Sequence, residues 1–127
     1  MTKAESLILA EVLVALSEAF PDGIFWRQNA GKVLSAAGHW IGLGPVGIAD
    51  VVGFVQTQWG AQIVFIETKT LKSTLRESQK RFRAAVESKG GIYVVARSAE
   101  QAVDGLSKAL NLSAHEKMAM MKRMSTV

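Results

Sequence analysis

A chain of 127 residues makes one domain with a single core, and no linker, low-complexity tract or internal repeat divides it. With 15 Lys plus Arg against 11 Asp plus Glu, the net charge of +4 favours an anionic partner without requiring one. The absence of cysteine excludes disulfides, thiolate catalysis and zinc–sulfur sites and fits an intracellular protein; His39 and His115 are too far apart in sequence to form a ligand-spaced pair.

Thr2 followed by Glu5 reads as a capping box for a helix running to about Ala19 or Phe20, where Pro21-Asp22-Gly23 stops it. The segment is too short to span a bilayer, Glu5 and Glu11 interrupt it, and no small-residue cleavage site follows, so neither a membrane anchor nor a signal peptide is expected. Because the helix is apolar nearly all round, it should be covered on more than one side, by the rest of the fold or by a second subunit. Glu5 has two open readings: the acid of the capping box, or a third carboxylate facing the sheet on the stripe it shares with Leu9, Val12 and Leu16. Glu11 fits a solvated helix position.

Ile24 to Gln28 reads as a strand entering Asn29-Ala30-Gly31-Lys32. Arg27 and Asn29 sit at its end beside a glycine, a place suited to phosphate contact, with Lys32 following. Val33 to Pro45 reads as an irregular loop holding no more than a helical turn. Gly42-Leu43-Gly44-Pro45-Val46-Gly47 has the dinucleotide-binding glycine spacing, but that motif follows a strand and opens a helix, whereas here a proline intervenes and a strand follows. The expectation is a flexible loop carrying the backbone close to Asp50.

Strands are expected at about 48–55 and 61–68, joined by a hairpin turn near Gln58-Trp59. In the second, Ile63, Phe65, Glu67 and Lys69 share one side while Val64, Ile66 and Thr68 take the other. If Thr57 pairs with Gly60, Asp50 falls opposite Glu67, and facing residues of an antiparallel ladder have Cβ atoms about 4.5–5.5 Å apart. Two carboxylates so placed repel unless a cation lies between them. A divalent metal with oxygen ligands suits the pair, with Lys69 at its edge. The plainer alternatives are a turn-capping Asp50 and a surface ion pair of Glu67 with Lys69.

Ser73 or Thr74 is expected to cap a helix to about Lys89, ended by Gly90-Gly91. Leu75, Phe82, Ala85 and Val86 mark its inner face. Gln79 falls on that face and needs a hydrogen-bond partner, from the backbone or from a site, whereas Arg76, Lys80 and Arg83 point outward. Lys72, Arg76, Lys80, Arg81 and Arg83 offer cations after the acidic pair; a solvated face explains them equally well. Ile92 to Ala96 is a continuously apolar strand of the buried kind. Ser98 starts a helix to about Leu110, and Ser113 with Glu116 forms a second capping box for a separate terminal helix, whose Met118, Met120, Met121 and Met124 suit core or subunit-interface packing. The order of helix, three strands, helix, strand, helix implies an α/β sandwich with a mixed sheet.

An acid at a strand end, a glutamate and a lysine one residue apart on the next strand, then a helix with an inward glutamine, resembles the PD-(D/E)XK nuclease superfamily. More narrowly the chain resembles a stand-alone virus-type replication-repair nuclease (VRR-NUC) domain. The residues that carry this are Glu5, Trp26-Arg27-Gln28-Asn29-Ala30-Gly31, Gly47-Ile48-Ala49-Asp50, Glu67-Thr68-Lys69, Ser78-Gln79 and Gly90-Gly91-Ile92-Tyr93-Val94-Val95, spread over the chain to about residue 106. Ala49 departs from the pattern, standing where a proline often precedes the metal-binding aspartate.

The resemblance implies one restriction-endonuclease-like sandwich over residues 1–127, its mixed central sheet flanked by helices. It implies Mg²⁺ or Mn²⁺ held by Asp50, Glu67 and the Thr68 carbonyl oxygen, with Lys69 orienting or deprotonating the attacking water. Gln79 would position that water or a ligand, and Glu5 would join the site. It further implies a homodimeric, structure-selective endonuclease for branched DNA, like a Holliday-junction resolvase, in a bacterial cytoplasm or encoded by a phage. Arg27, Asn29, Lys32, Lys72 and Arg76 would then meet the nucleic acid. A monomeric flap or single-strand nuclease and a non-catalytic nucleic-acid-binding module are the alternatives.

Overall fold

A computed structural model describes residues 2–29 and 31–125; Ala30, part of the Trp26–Gly31 motif, lies outside the described residues. Thr2 caps the first helix, α1 (Lys3–Ala19), with both halves of the expected capping box formed: Glu5 N–H donates to Thr2 Oγ1 at 3.1 Å and Thr2 N–H to Glu5 Oε2 at 3.3 Å. Leu9, Val12 and Leu16 recur at helical spacing and form its buried stripe. On the opposite side Leu7 and Val14 are exposed in the single chain, so the rest of the fold does not cover that side.

Strand β1 (Ile24–Arg27) pairs antiparallel with β4 (Val51–Thr57), and β4 with β5 (Gly60–Thr68). After helix α2 (Glu77–Ser88) the chain returns as β6 (Ile92–Ala96), parallel to β5. The result is a mixed α/β fold on a four-stranded mixed sheet ordered β1-β4-β5-β6. Alternation along β5 divides the interior. Val64 and Ile66 meet α1 and the last helix, α3 (Ala99–Ser125), whereas Phe65 joins Phe82 and Tyr93 beneath α2. Leu16 is fully buried in the larger of these layers, so Leu16→Ala should cost about 2–4 kcal/mol, read as a lower urea midpoint at unchanged slope.

Three expectations from the sequence need correction. Residues 33–45 are not irregular: β2 (Lys32–Leu34) and β3 (Trp40–Gly42) form an antiparallel hairpin. Its brevity and the many small residues around it concealed it. Helix α2 starts at Glu77 and not at Ser73 or Thr74, because Ser73 is taken into a turn with Thr70, their hydroxyls 2.7 Å apart, and Gln79 Oε1 accepts the Arg76 N–H at the helix start. Ser98 does cap a helix, its Oγ accepting the Gln101 N–H, but α3 then runs unbroken through Ser113 and Glu116. With no Gly or Pro after Gly105, a second capping signal cannot by itself end a helix. The methionines of that stretch, expected in the core or at a subunit interface, are exposed in the single chain. The Met121 sulfur accepts from Trp59 Nε1 at 3.4 Å.

Candidate active site

The expected register holds: Thr57 pairs with Gly60, the ladder runs to Val51 with Ile66, and the next step brings Asp50 to Glu67. The strand starts later than expected, so Asp50 is the last residue of the loop leading into it. Its carbonyl accepts the Gln28 N–H at 2.7 Å, tying it to the end of β1. Its carboxylate Oδ2 accepts two hydrogen bonds from Thr68, from the N–H at 3.1 Å and from Oγ1 at 2.7 Å. One carboxylate oxygen is thereby fixed in place.

Glu67 lies beside it, only 3% exposed. Gln79 Nε2 donates to Glu67 Oε1 at 3.2 Å, so the inward amide finds one partner in the site and the other in the backbone of Arg76. Glu67 Oε2 is buried without a hydrogen-bond partner among the described residues. A lone carboxylate so enclosed is costly to ionise; burial above all, and then the Asp50 carboxylate, push its pKa up to about 8, against the pull of Lys69 and Arg76. The other buried orphan among the described residues is the Tyr93 hydroxyl, its pKa raised by burial first and Glu67 next; Arg83 lies over the Tyr93 ring, 5.4 Å from its centroid.

Lys69 follows β5 directly, and its N–H donates to the Ala96 carbonyl at 2.9 Å, so the parallel pairing with β6 sets where its side chain leaves the sheet. A cleft of about 490 Å³ opens here, lined among others by Glu5, Asp50, Glu67, Thr68, Lys69, Arg76 and Gln79. Arg76, expected to point outward, thus belongs to the cleft wall. Glu5 reaches the same wall while remaining the capping-box acid, whereas the exposed Glu11 lies elsewhere on α1.

Not every expected residue gathers there. Lys72 is exposed in a turn outside the cleft lining. Arg27 and Asn29 flank Gln28 at the Asp50 end of the sheet, and Lys32 opens β2; none of the three lines the cleft. Sequence reasoning missed the turn after Lys69, where Thr70, Ser73 and Thr74 add hydroxyls to the wall and the Arg97 guanidinium donates to the Thr70 carbonyl. The hydroxyl-rich run from Thr68 to Thr74 was the available signal.

The loop before Asp50 is seated against α2. Gly47 has φ +84°, and a Cβ there would stand 2.2 Å from the Ser78 carbonyl oxygen. No flexible side chain can yield to relieve that contact, so Gly47→Ala should lower stability by about 2 kcal/mol or more in urea denaturation. It should also disturb the seat of Asp50.

Among the described residues no three His, Cys, Asp or Glu side chains converge, so a soft or closed metal site is not built here. Two carboxylates with one orphaned oxygen in an open cleft do fit Mg²⁺ or Mn²⁺, hard cations that keep waters and use one or two protein carboxylates plus substrate oxygens. No helix among the described residues is long and apolar enough to cross a membrane. No family model, curated protein or solved structure matches the chain.

Proposed function

We infer that this protein is a metal-dependent DNA endonuclease with a restriction-endonuclease-like sandwich of the VRR-NUC type. The observation that carries the reading is Glu67 Oε2, buried beside Asp50 without a hydrogen-bond partner among the described residues, in a cleft that Lys69 also lines. Asp50, Glu67 and the Thr68 carbonyl would hold Mg²⁺ or Mn²⁺, which when bound supplies Lewis acidity toward a phosphate and lowers the pKa of water.

The side chains have separable tasks. Thr68 N–H and Oγ1 occupy Asp50 Oδ2, leaving the other oxygen for ligation; Gln79 Nε2 does the same for Glu67 by holding Oε1 and leaving Oε2. Lys69 Nζ, on the cleft wall, would orient the attacking water and donate to the phosphate oxygen on which charge grows. Arg76 adds a second cation to the wall, and Arg27, Asn29 and Lys32, outside the cleft lining, would meet backbone phosphates further along the nucleic acid.

A branched substrate and a homodimer complete the reading. The exposed Leu7 and Val14 on α1 and the exposed methionines of α3 are apolar surfaces that a second copy could cover, giving two sites for two strands.

The deciding experiment incubates linear, flapped and four-way DNA with the protein, with and without Mg²⁺ or Mn²⁺, beside Lys69→Ala. Cleavage that requires the metal and Lys69, favours the four-way substrate and produces symmetric nicks is the expected result. Absence of cleavage with either metal, or equal cleavage by the variant, overturns the reading.

A further inference from the structure

The β2–β3 hairpin belongs to neither the sheet nor the site. It forms a separate two-stranded sheet, and all six of its strand residues are exposed. Facing partners are Leu34 with Trp40, Val33 with Ile41 and Lys32 with Gly42. By alternation Leu34, Trp40 and Lys32 share one face, and Val33 with Ile41 the other. Trp40 is 68% exposed, a large flat apolar surface left in water with a lysine on its own face.

The root of the hairpin is the rim of the cleft. Leu43 N–H donates to the Gly31 carbonyl at 2.8 Å to close the stem, and the preceding Gln28 donates to Asp50. On the returning side Gly44 abuts Ile48, a cleft-lining residue, and the Gln28 side chain. From Gly23 to Ala49 the chain carries no acidic residue, while Arg27 and Lys32 are cationic, so the hairpin itself presents no like charge to a polyanion.

We propose that the Trp40 face of this hairpin stacks an unpaired nucleobase of the DNA whose phosphates enter the neighbouring cleft. The inference rests on the nuclease reading and adds the feature of the substrate that is recognised. Every base has a π-face, so an exposed indole binds single-stranded segments with little regard to sequence, while a lysine on the same face meets the backbone. In paired DNA the bases already stack on one another, so Trp40 selects junction centres, flaps and single strands over continuous duplex.

The test measures binding in EDTA, so it does not depend on cleavage. In a Trp26→Phe, Trp59→Phe protein Trp40 is the only tryptophan. Its fluorescence is titrated with oligo-dT, an immobile four-way junction and a blunt duplex. Saturable quenching by the first two, and little by the duplex, is expected. In the natural background Trp40→Ala should weaken oligo-dT binding about 10- to 100-fold. Trp40→Leu, which keeps apolar bulk without a flat ring, should lose nearly as much, and Trp40→Phe should retain most of the affinity.

Undiminished oligo-dT affinity in Trp40→Ala overturns the proposal, as does full affinity in Trp40→Leu. A shift to a smaller sedimenting species with unchanged affinity also overturns it and assigns the face to a second copy of the chain. A protein that cleaves DNA but ignores Trp40 loses this proposal alone, whereas one that binds through Trp40 but never cleaves loses the nuclease reading.

Discussion

Lys69→Ala is expected to lower metal-dependent cleavage by about 100-fold or more while DNA affinity stays close to that of the unchanged protein. Lys69 shares the cleft lining with Arg76 and is one of 15 Lys plus Arg in the chain, so its removal should take little from ground-state binding. What it loses is a donor aimed at charge that develops only during phosphate attack. Asp50→Asn should cost at least as much by a different route. The amide can still accept from Thr68, so the loop stays seated, but the anion that would draw the divalent cation is gone. Single-turnover cleavage with a parallel binding titration separates the two cases: raising Mn²⁺ should partly rescue Asp50→Asn and leave Lys69→Ala unchanged. A Lys69→Ala protein with normal rates would remove the lysine from the chemistry.

Glu67→Gln should make the metal-free protein more stable at pH 8–9, although on the nuclease reading it should abolish cleavage. In the folded chain the Glu67 carboxyl titrates near 8, because it is buried and stands beside Asp50, while in the unfolded chain it returns to the ordinary range near 4.5. Between those values the folded state holds the extra proton, so stability falls as pH rises. The full stability contribution is present below about 4.5 and is lost on passing through about 8. The loss is of the order of a few kcal/mol.

Glutamine keeps the shape and carries no charge, so Glu67→Gln should flatten this pH slope, matching the unchanged protein at pH 5 and exceeding it at pH 9. Divalent cation should act on the unchanged protein in the opposite sense, since it requires the ionised pair: Mg²⁺ or Mn²⁺ should raise the melting temperature most at high pH, and its binding should release a proton only below about pH 8. Thermal unfolding across pH, with and without metal, checks both statements. If the unchanged protein and Glu67→Gln show parallel pH profiles, the pair is not strained in the way the burial of Oε2 implies.

What the sequence by itself determined about this protein is the part written in short-range chemistry. The Thr2–Glu5 capping box, the turn at Gln58-Trp59 and the period-two run of β5 are local. From the turn alone follows the register that brings Asp50 to Glu67, because a hairpin leaves little freedom over seven paired residues. Gln79 was legible as inward for the same reason, a polar residue on an apolar stripe.

Only the tertiary structure decided how the acidic pair is buried and held. Glu67 loses its water because α2 and β6 close over it, and Asp50 loses one oxygen to Thr68; neither contact has a signature at short range. The same holds for Gly47 against Ser78, for the continuity of α3 through a capping signal it does not use, and for a hairpin too short to announce itself. Local propensities choose elements within a few residues. Burial, which makes one carboxylate oxygen an orphan, depends on segments that meet only after the chain has folded.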